Sequence, residues 1–352
     1  GGNTLFDAGS AYIFKRDING VWNQVQKLVA SDRNNHDYFG RTLSISGNFA
    51  IVGSQSSSDD TGGNQIYSAG AAYIFERYGN GKWNQVQKIV ASDRTANDQF
   101  GKFVCINGSH AIVGAPYHEF DTSGGNYMLA AGAAYIFERD TLGNWNQVQK
   151  IVADDRAAMD GFGCSVSISG NYAIVGALYE DEDVSGINTK ESAGSAYIFE
   201  RDGSGIWNQI QKIVASDRSD TNIFGWSVCI DSFNIIVGSP RNDYDAMSAL
   251  YLNDAGAVYI FETLSANISE IGTNISSYIF PNPTSGKINI DMGNTLKEIK
   301  ATIRNILGQE VLSKQFNETT IINLEINGPP GLYFIEIITT TGISEQFKVV
   351  KT

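Results

Sequence analysis

One pattern is written four times along this chain, about 62 residues apart, and a period of that length decides the architecture before any local reading. Each copy runs from Ala-Tyr-Ile-Phe through Trp-Asn-Gln-(Val/Ile)-Gln-Lys and Asp-Arg to Phe-Gly, and ends at Ile-Val-Gly. The tyrosines Tyr12, Tyr73, Tyr135, Tyr197 and Tyr259 are separated by 61, 62, 62 and 62 residues. Trp22, Trp83, Trp145 and Trp207 keep the same step, as do Phe39-Gly40, Phe100-Gly101, Phe162-Gly163 and Phe224-Gly225. A unit this short cannot bury both its apolar faces alone, so neighbouring units must stack. Nothing in the repeated set is a reactive group.

In the second copy four segments read as strands: Ala72 to Arg77, Trp83 to Val90, Phe103 to Ile106 and His110 to Gly114. They are rich in β-branched and aromatic residues and are punctuated by Gly, Asn and Asp. The last two are joined by Asn107-Gly108-Ser109, with Ser46-Gly47-Asn48 and Ser169-Gly170-Asn171 in the same place elsewhere. Such pairs supply the positive φ that a tight hairpin needs. No segment has helical periodicity with caps. Four antiparallel strands per unit at constant spacing predict an all-β chain built of β-propeller blades.

All but one unit of the formal net charge of −13 sits on the repeats, because the stretch from Phe280 onward is neutral and only Glu270 lies between. An acidic array argues against nucleic acid or an anionic membrane as partner, since both need a basic face. No apolar run reaches the length of a transmembrane helix. Cys105 and Cys229 occupy equivalent positions in different repeats, too far apart for a disulfide, and with Cys164 they read as small buried residues.

Phe-Gly, a short strand, a turn and then Ile112-Val113-Gly114-Ala115-Pro116 resemble the FG-GAP repeat of integrin-α-type propellers, over about residues 8 to 262. The resemblance implies four-stranded blades with the Phe-Gly segment innermost, Ile-Val-Gly second, Ala-Tyr-Ile-Phe third and Trp-Asn-Gln at the outer edge. Gly1-Gly2-Asn3 lines up with Gly62-Gly63-Asn64, in the middle of a loop, so the sequence opens halfway through a blade without an initiating Met or signal peptide. This predicts an N-terminal truncation with further blades upstream. The competing reading is a small closed propeller in which the Trp22 strand completes the last blade and the Tyr12 strand is surplus.

After residue 262 the repeat stops, and residues 263–277 read as a linker rich in Ser, Asn, Ile and Gly. Alternating strands with Gly/Pro turns then suggest a small Ig-like β-sandwich over 278–352, with strands at Ala301 to Arg304, Gln309 to Leu312, Ile321 to Ile326 and Leu332 to Ile338. Pro281, Asn282, Pro283, Thr284 and Gly286 come first, and Asn305 to Val311 follow with Gly308 and Gln309. Gly331 to Phe334 with Tyr333, and Phe347 to Lys351 with Lys348, Val350 and Lys351, complete the set. Together these resemble the type A sorting domain of the type IX secretion system of Bacteroidetes. That family implies export across the outer membrane by the type IX machinery, removal of the domain, and release or attachment at the cell surface.

Acidic residues cluster in the long loops after Ile-Val-Gly, and Asp181, Asp183, Asp243 and Asp245 are the weak calcium candidates among them. The connections that hold Asp-rich calcium loops in integrin-type repeats are too short here, so no cofactor is expected. Asp32-Arg33, Asp93-Arg94, Asp155-Arg156 and Asp217-Arg218 recur in every unit, which favours a charge-assisted bond at the blade junction over catalysis. Trp226, Tyr117, Tyr127, Tyr179, Tyr244 and Tyr251 suggest stacking on a glycan or protein partner. No nucleophile–base pattern is present. The sequence therefore points to a non-enzymatic, secreted or surface-displayed binding protein of adhesion type. Its alternative is a secreted hydrolase with its site at the propeller channel or upstream.

Overall fold

The computed structural model describes residues 5–231, 234–243, 251–262, 278–280, 284–305, 308–339 and 344–351. The expected linker, Tyr244, Asp245, Pro281, Asn282 and Pro283 lie outside the described residues. The chain forms two compact units, Gly1–Ser265 and Ala266–Thr352.

The first unit is a series of antiparallel sheets in chain order. β1 (Ala11–Arg16) and β2 (Trp22–Leu28) form a two-stranded ladder. Three complete four-stranded blades follow. The first joins β3 (Leu43–Ser46), β4 (Phe49–Ser54), β5 (Ala71–Arg77) and β6 (Trp83–Ile89). The second joins β7 (Phe103–Asn107), β8 (His110–Ala115), β9 (Ala133–Arg139) and β10 (Trp145–Ile151). The third joins β11 (Phe162–Ser169), β12 (Tyr172–Ala177), β13 (Ser195–Arg201) and β14 (Trp207–Ile213). β15 (Ser227–Asp231), β16 (Asn234–Ser239) and β17 (Ala257–Glu262) make a three-stranded sheet. The predicted strand order within a blade is therefore correct. Among the described residues β2 pairs with β1 and not with β17, which does not support the closed alternative.

Each blade has a leading face of large side chains and a trailing face of smaller ones. Tyr135, Phe137 and Trp145 of one blade pack on Ile51, Ala72, Ile74 and Ile89 of the blade before it, and the same layering recurs at the next junction. The Phe-Gly phenylalanine anchors this layer edge-on to two rings, with Phe100 centred 5.4 Å from Tyr135 and 6.0 Å from Phe137. The glycines let backbones meet: Gly70 bridges Phe100 in parallel, and a Cβ on Gly114 would lie 2.1 Å from the Gly163 carbonyl oxygen of the next blade. In the short hairpins Gly47, Gly108 and Gly170 take φ of 57°, 57° and 56°, as their sequence demands.

Layering also explains the exposed apolar surface at each end of the array. Trp22 is 66% exposed where its counterpart Trp83 is 4%, and Ile260 is 70% exposed where Ile198 is 5%. Cys164 is buried as expected and Cys105 half-buried, but Cys229 is exposed, because no described blade covers the trailing face it stands on.

The second unit comprises β18 (Tyr278–Phe280), β19 (Lys287–Asn305), β20 (Glu310–Glu325), β21 (Gly331–Thr339) and β22 (Ser344–Lys351). Its sheet runs β18-β19-β21-β22, with β20 also paired to β19, around Ile288, Ile290, Ala301, Ile303, Tyr333, Ile335 and Val349. The separate short strands expected here merge into long ones. Register shifts between Asp291 and Leu296 and between Ile303 and Arg304 absorb the irregular stretches without ending the ladder.

Candidate interaction surface

The Asp-Arg pair works in two directions, and at Asp93-Arg94 and Asp155-Arg156 both are seen together. The aspartate reaches forward: Asp32, Asp93 and Asp155 accept from Lys88, Lys150 and Lys212 of the next blade at 2.6, 2.7 and 2.7 Å. Tyr135 also donates to Asp93 at 2.8 Å. Burial opposes the Asp93 charge, but His118, Lys150 and Tyr135 outweigh it and hold the carboxyl well below its usual range. The arginine reaches back into the long loop of the preceding blade. Arg94 donates to the carbonyls of Ser58 and Asn64, Arg156 to those of Glu119 and Asn126, and Arg218 to those of Asp181 and Asn188. One guanidinium thus clamps both arms of a loop whose sequence differs in every copy.

A third contact comes from the outer strand. β2, β6, β10 and β14 each carry a β-bulge that leaves Val25, Val86, Val148 or Ile210 without a cross-strand partner. The extra residue reverses the facing of the chain beyond it, so two glutamines two positions apart point to opposite neighbours. Gln147 exchanges two hydrogen bonds with Ser92 of the blade before, both at 2.9 Å. Gln149 exchanges two with the Trp207 backbone of the blade after, at 2.7 and 2.8 Å. Gln85 and Gln87 do the same one blade earlier. This clamp escaped the sequence reading, although the invariant Gln-x-Gln spacing was its signal.

One buried position at each junction varies: Ser57, His118, Glu180 and Asn242. His118 lies 3.1 Å from Asp98 and 2.8 Å from the Lys150 ammonium. Burial disfavours its imidazolium, but Asp93 and Asp98 outweigh that and raise its pKa. Glu180 takes the place of His118 in the next copy, where burial and the Glu180 charge push Asp160 up to about 8.

The acids of the long loops are engaged in holding the loops. Side-chain donors, Asn64 for Asp60 and the Ser123 hydroxyl with Asn126 for Asp121, join two backbone N–H groups of the same loop on each carboxylate and lower both to about 2. Asp183, one of the calcium candidates, is held in the same way by Ser185 and Asn188. Asp181 accepts from the Ser192 N–H and Asp243 from the Asp254 N–H. Among the described residues no group of three or more His, Cys, Asp or Glu is placed to hold a metal ion.

Around these anchors the long loops present aromatic side chains. Tyr127 and Tyr251 are each 59% exposed, and Tyr117 and Tyr179 are also open. Tyr127 is oriented by a 3.0 Å bond to Glu119 and an edge contact with Phe120, and Tyr117 lies under the Lys102 ammonium. The most exposed of the set, Tyr67 at 74%, was not singled out in the sequence, although its loop matches that of Tyr127. Trp226 belongs elsewhere. Its counterpart Cys164 is covered by the Gly225 carbonyl of the following blade, so the exposure of Trp226 reflects the uncovered end of the array.

In the second unit the motif residues that are described serve the fold. Thr284 is buried, pairs with the last strand through Val350 and Lys351, and caps Gly286 and Lys287. Gly308 and Gln309 close the hairpin with Asn305. Gly331 opens β21, and Tyr333 is buried with its hydroxyl on the Pro329 carbonyl. Lys348 lies in β22, Val350 is exposed on it, and Lys351 donates to the Gly328 carbonyl.

The FG-GAP repeat family model matches residues 22–75, 83–137, 145–199 and 207–261, and the model for a secretion system C-terminal sorting domain matches 278–352. Each matched repeat straddles two sheets, taking the outer strand of one and three strands of the next. No curated protein matches the sequence. Among solved structures, a DUF3244 family protein with an immunoglobulin-like β-sandwich fold from Bacteroides vulgatus is similar at 15% identity and a TM-score of 0.19, over 22% of this chain and 96% of that one. A protein from Lactobacillus plantarum is similar at 11% identity and a TM-score of 0.39, over 97% of this chain and 92% of its own. Neither likeness is close enough to bear on function. The matched domains are of repeat and sorting type, and no helix among the described residues is long and apolar enough to cross a membrane. The chain belongs to the FG-GAP repeat family and ends in a type IX sorting domain, which makes it a secreted or cell-surface protein of the Bacteroidetes kind.

Proposed function

We propose that the chain is an adhesion-type binding protein whose long loops form the recognition surface. The observation that carries this reading is the double clamp: an arginine of the invariant framework fixes both arms of a loop whose tip varies from copy to copy. Rigid loops with exposed tyrosines lose little conformational entropy on binding and offer both apolar area and a hydroxyl. The sorting domain supplies delivery to the outside through the type IX machinery, where an extracellular protein or glycan is the partner available. The competing hydrolase reading gains no support from the carboxyls held above their usual range at Asp37 and Asp160, because both are buried at blade junctions.

The test is retention of the purified chain on an array of immobilised polysaccharides and extracellular matrix proteins. The chain is expected to bind at least one surface, and the triple variant Tyr67→Ser, Tyr127→Ser, Tyr251→Ser to lose that binding at least tenfold with its unfolding temperature unchanged. A chain that binds nothing, or a variant that binds equally well, would falsify the loop surface. New reducing ends or cleaved protein on the array would favour the hydrolase.

A further inference from the structure

Because neighbouring strands of a blade run antiparallel, the innermost strand begins and the second strand ends on the side of the array that carries the long loops. Two positions per blade stand there. Arg41, Lys102, Cys164 and Trp226 follow the Phe-Gly pairs, and Ser56, Tyr117, Tyr179 and Arg241 stand two places beyond the end of the second strand. Tight turns fix both sets, as when the Lys102 N–H donates to the Gln99 carbonyl and the His118 N–H to that of Ala115. Acidic residues crowd this side, with at least two in every long loop, yet neither position holds one in any copy. Cations and aromatic rings fill most of them instead.

The framework cations on this side are already spent. Lys88, Lys150 and Lys212 sit on aspartates, and Arg94, Arg156 and Arg218 on loop carbonyls. Arg41 and Lys102, by contrast, form no ion pair among the described residues. Lys102 is held on a ring, its ammonium 4.3 Å from the centre of Tyr117 and donating to the Tyr117 hydroxyl at 3.1 Å. Thr42, next to Arg41, bonds the Lys102 carbonyl of the following blade at 3.1 Å. Phe103, next to Lys102, packs on Cys164 and on Leu178, which precedes Tyr179. Arg41, Lys102, Tyr117 and Tyr179 therefore form a continuous arc over three blades, with both rings open to solvent. The acids beside Tyr179 do not oppose it. Asp160, whose carbonyl holds the Tyr179 N–H, is pushed up to about 8 by burial and is uncharged at neutral pH, and Glu180 is fully buried on Lys212.

We propose that this arc is a subsite for an acidic sugar residue, whose carboxylate or sulfate pairs with Arg41 and Lys102 and whose ring stacks on Tyr179. The Arg41 fork suits a planar or tetrahedral oxyanion, and Tyr117 holds the Lys102 charge in place before the ligand arrives. A tyrosine face packs on the apolar side of a sugar ring, and its hydroxyl meets the sugar's own. An inorganic anion or an acidic peptide would use the charges and leave the ring idle, and a neutral sugar would do the reverse. The site takes one or two anionic groups, because a longer polyanion meets the carboxylates of the long loops. It is separate from the loop positions of Tyr67, Tyr127 and Tyr251 and does not depend on them.

Isothermal titration calorimetry of the whole chain tests the site, with tri-galacturonate as the carboxylated probe and a κ-carrageenan tetrasaccharide as the sulfated one. Saturable binding of at least one is expected, and the better of the two identifies the anionic group. Binding should weaken as NaCl rises from about 50 to about 500 mM. Arg41→Gln, Lys102→Gln and Tyr179→Ala should each weaken it about tenfold. Arg41 and Tyr179 are exposed and make no side-chain hydrogen bond among the described residues, so those two variants are expected to unfold at the wild-type temperature. That separates loss of the site from loss of the fold. The triple variant Tyr67→Ser, Tyr127→Ser, Tyr251→Ser should bind the acidic sugar as wild type does. If it does not, the sugar sits on the long loops and this site is refuted, while the loop surface stands. Binding of neither probe, equal binding of maltotriose or tri-glutamate, or indifference to both Arg41→Gln and Lys102→Gln would also overturn the proposal.

Discussion

At the scale of the residue, the array depends on a few polar side chains that recur because each completes a neighbour. Gln149 satisfies both the N–H and the carbonyl of Trp207. Its removal leaves two backbone groups without partners in a half-buried junction, at a cost of about 2 kcal/mol. Gln149→Ala is therefore expected to lower the denaturant midpoint clearly, and Gln211→Ala, with no following tryptophan to hold, to leave it unchanged. Equal effects of the two would contradict the clamp. Asp160 gives a second prediction, in pH. Its carboxyl sits near 8 when folded against a usual 3.8, so the native state is the stronger proton binder between those values. The stability this gives is fully present below about pH 4 and is lost as the pH rises through about 8. His118, also raised, works in the same direction from its usual 6.5 upward. Unfolding followed from pH 5.5 to 8.5 should show wild type losing on the order of 1 kcal/mol, and Asp160→Asn losing less. A steeper loss in the variant would contradict the assignment. Much of this layer was hidden in the sequence. Asp-Arg announced itself as structural by recurring, but the direction of each half depends on which loops the fold brings beside it.

The elements are more legible, because a strand's period and its punctuation are local. His110 to Gly114 was predicted and β8 spans His110–Ala115, since Asn107-Gly108-Ser109 can only be a turn there. The bulges were not legible, because Val86 or Val148 reads as an ordinary strand residue. A strict period of two places Gln147 and Gln149 on one face, and only the unpaired Val148 sends them to opposite blades. The long strands β19 and β20 were misjudged for a related reason, as pairing persists across stretches that look like breaks. Close approach between elements explains the glycine of Ile-Val-Gly. Gly114→Ala would push a Cβ to 2.1 Å from the Gly163 carbonyl oxygen, which is backbone and cannot turn away. Gly238 meets instead the Ser227 hydroxyl at 2.5 Å, which can rotate. Thermal unfolding should show Gly114→Ala destabilised by about 2–4 kcal/mol and Gly238→Ala by less than about 1 kcal/mol. The reverse order would refute the contact.

At the scale of the molecule, the chain joins a repeat array to a sorting domain that serves delivery. The array could be read as blades because its period left no other economical way to bury alternating faces. Its exposed aromatics were less legible, because exposure depends on how each loop is anchored and which faces are covered: Tyr67 is 74% exposed without being singled out in the sequence, and Trp226 is exposed at the uncovered end of the array rather than on a long loop. Delivery rests on residues 278–352, whose described motif residues build a sheet with Thr284 fastened to the last strand. The most direct measurement is made on intact cells of a type IX-competent bacterium producing either the whole chain or a chain ending at residue 277, each behind the same N-terminal signal peptide. An antibody to the blades should detect the whole chain outside the outer membrane, and find the shortened chain only in the periplasm. Equal amounts of the two outside the cell would contradict the account.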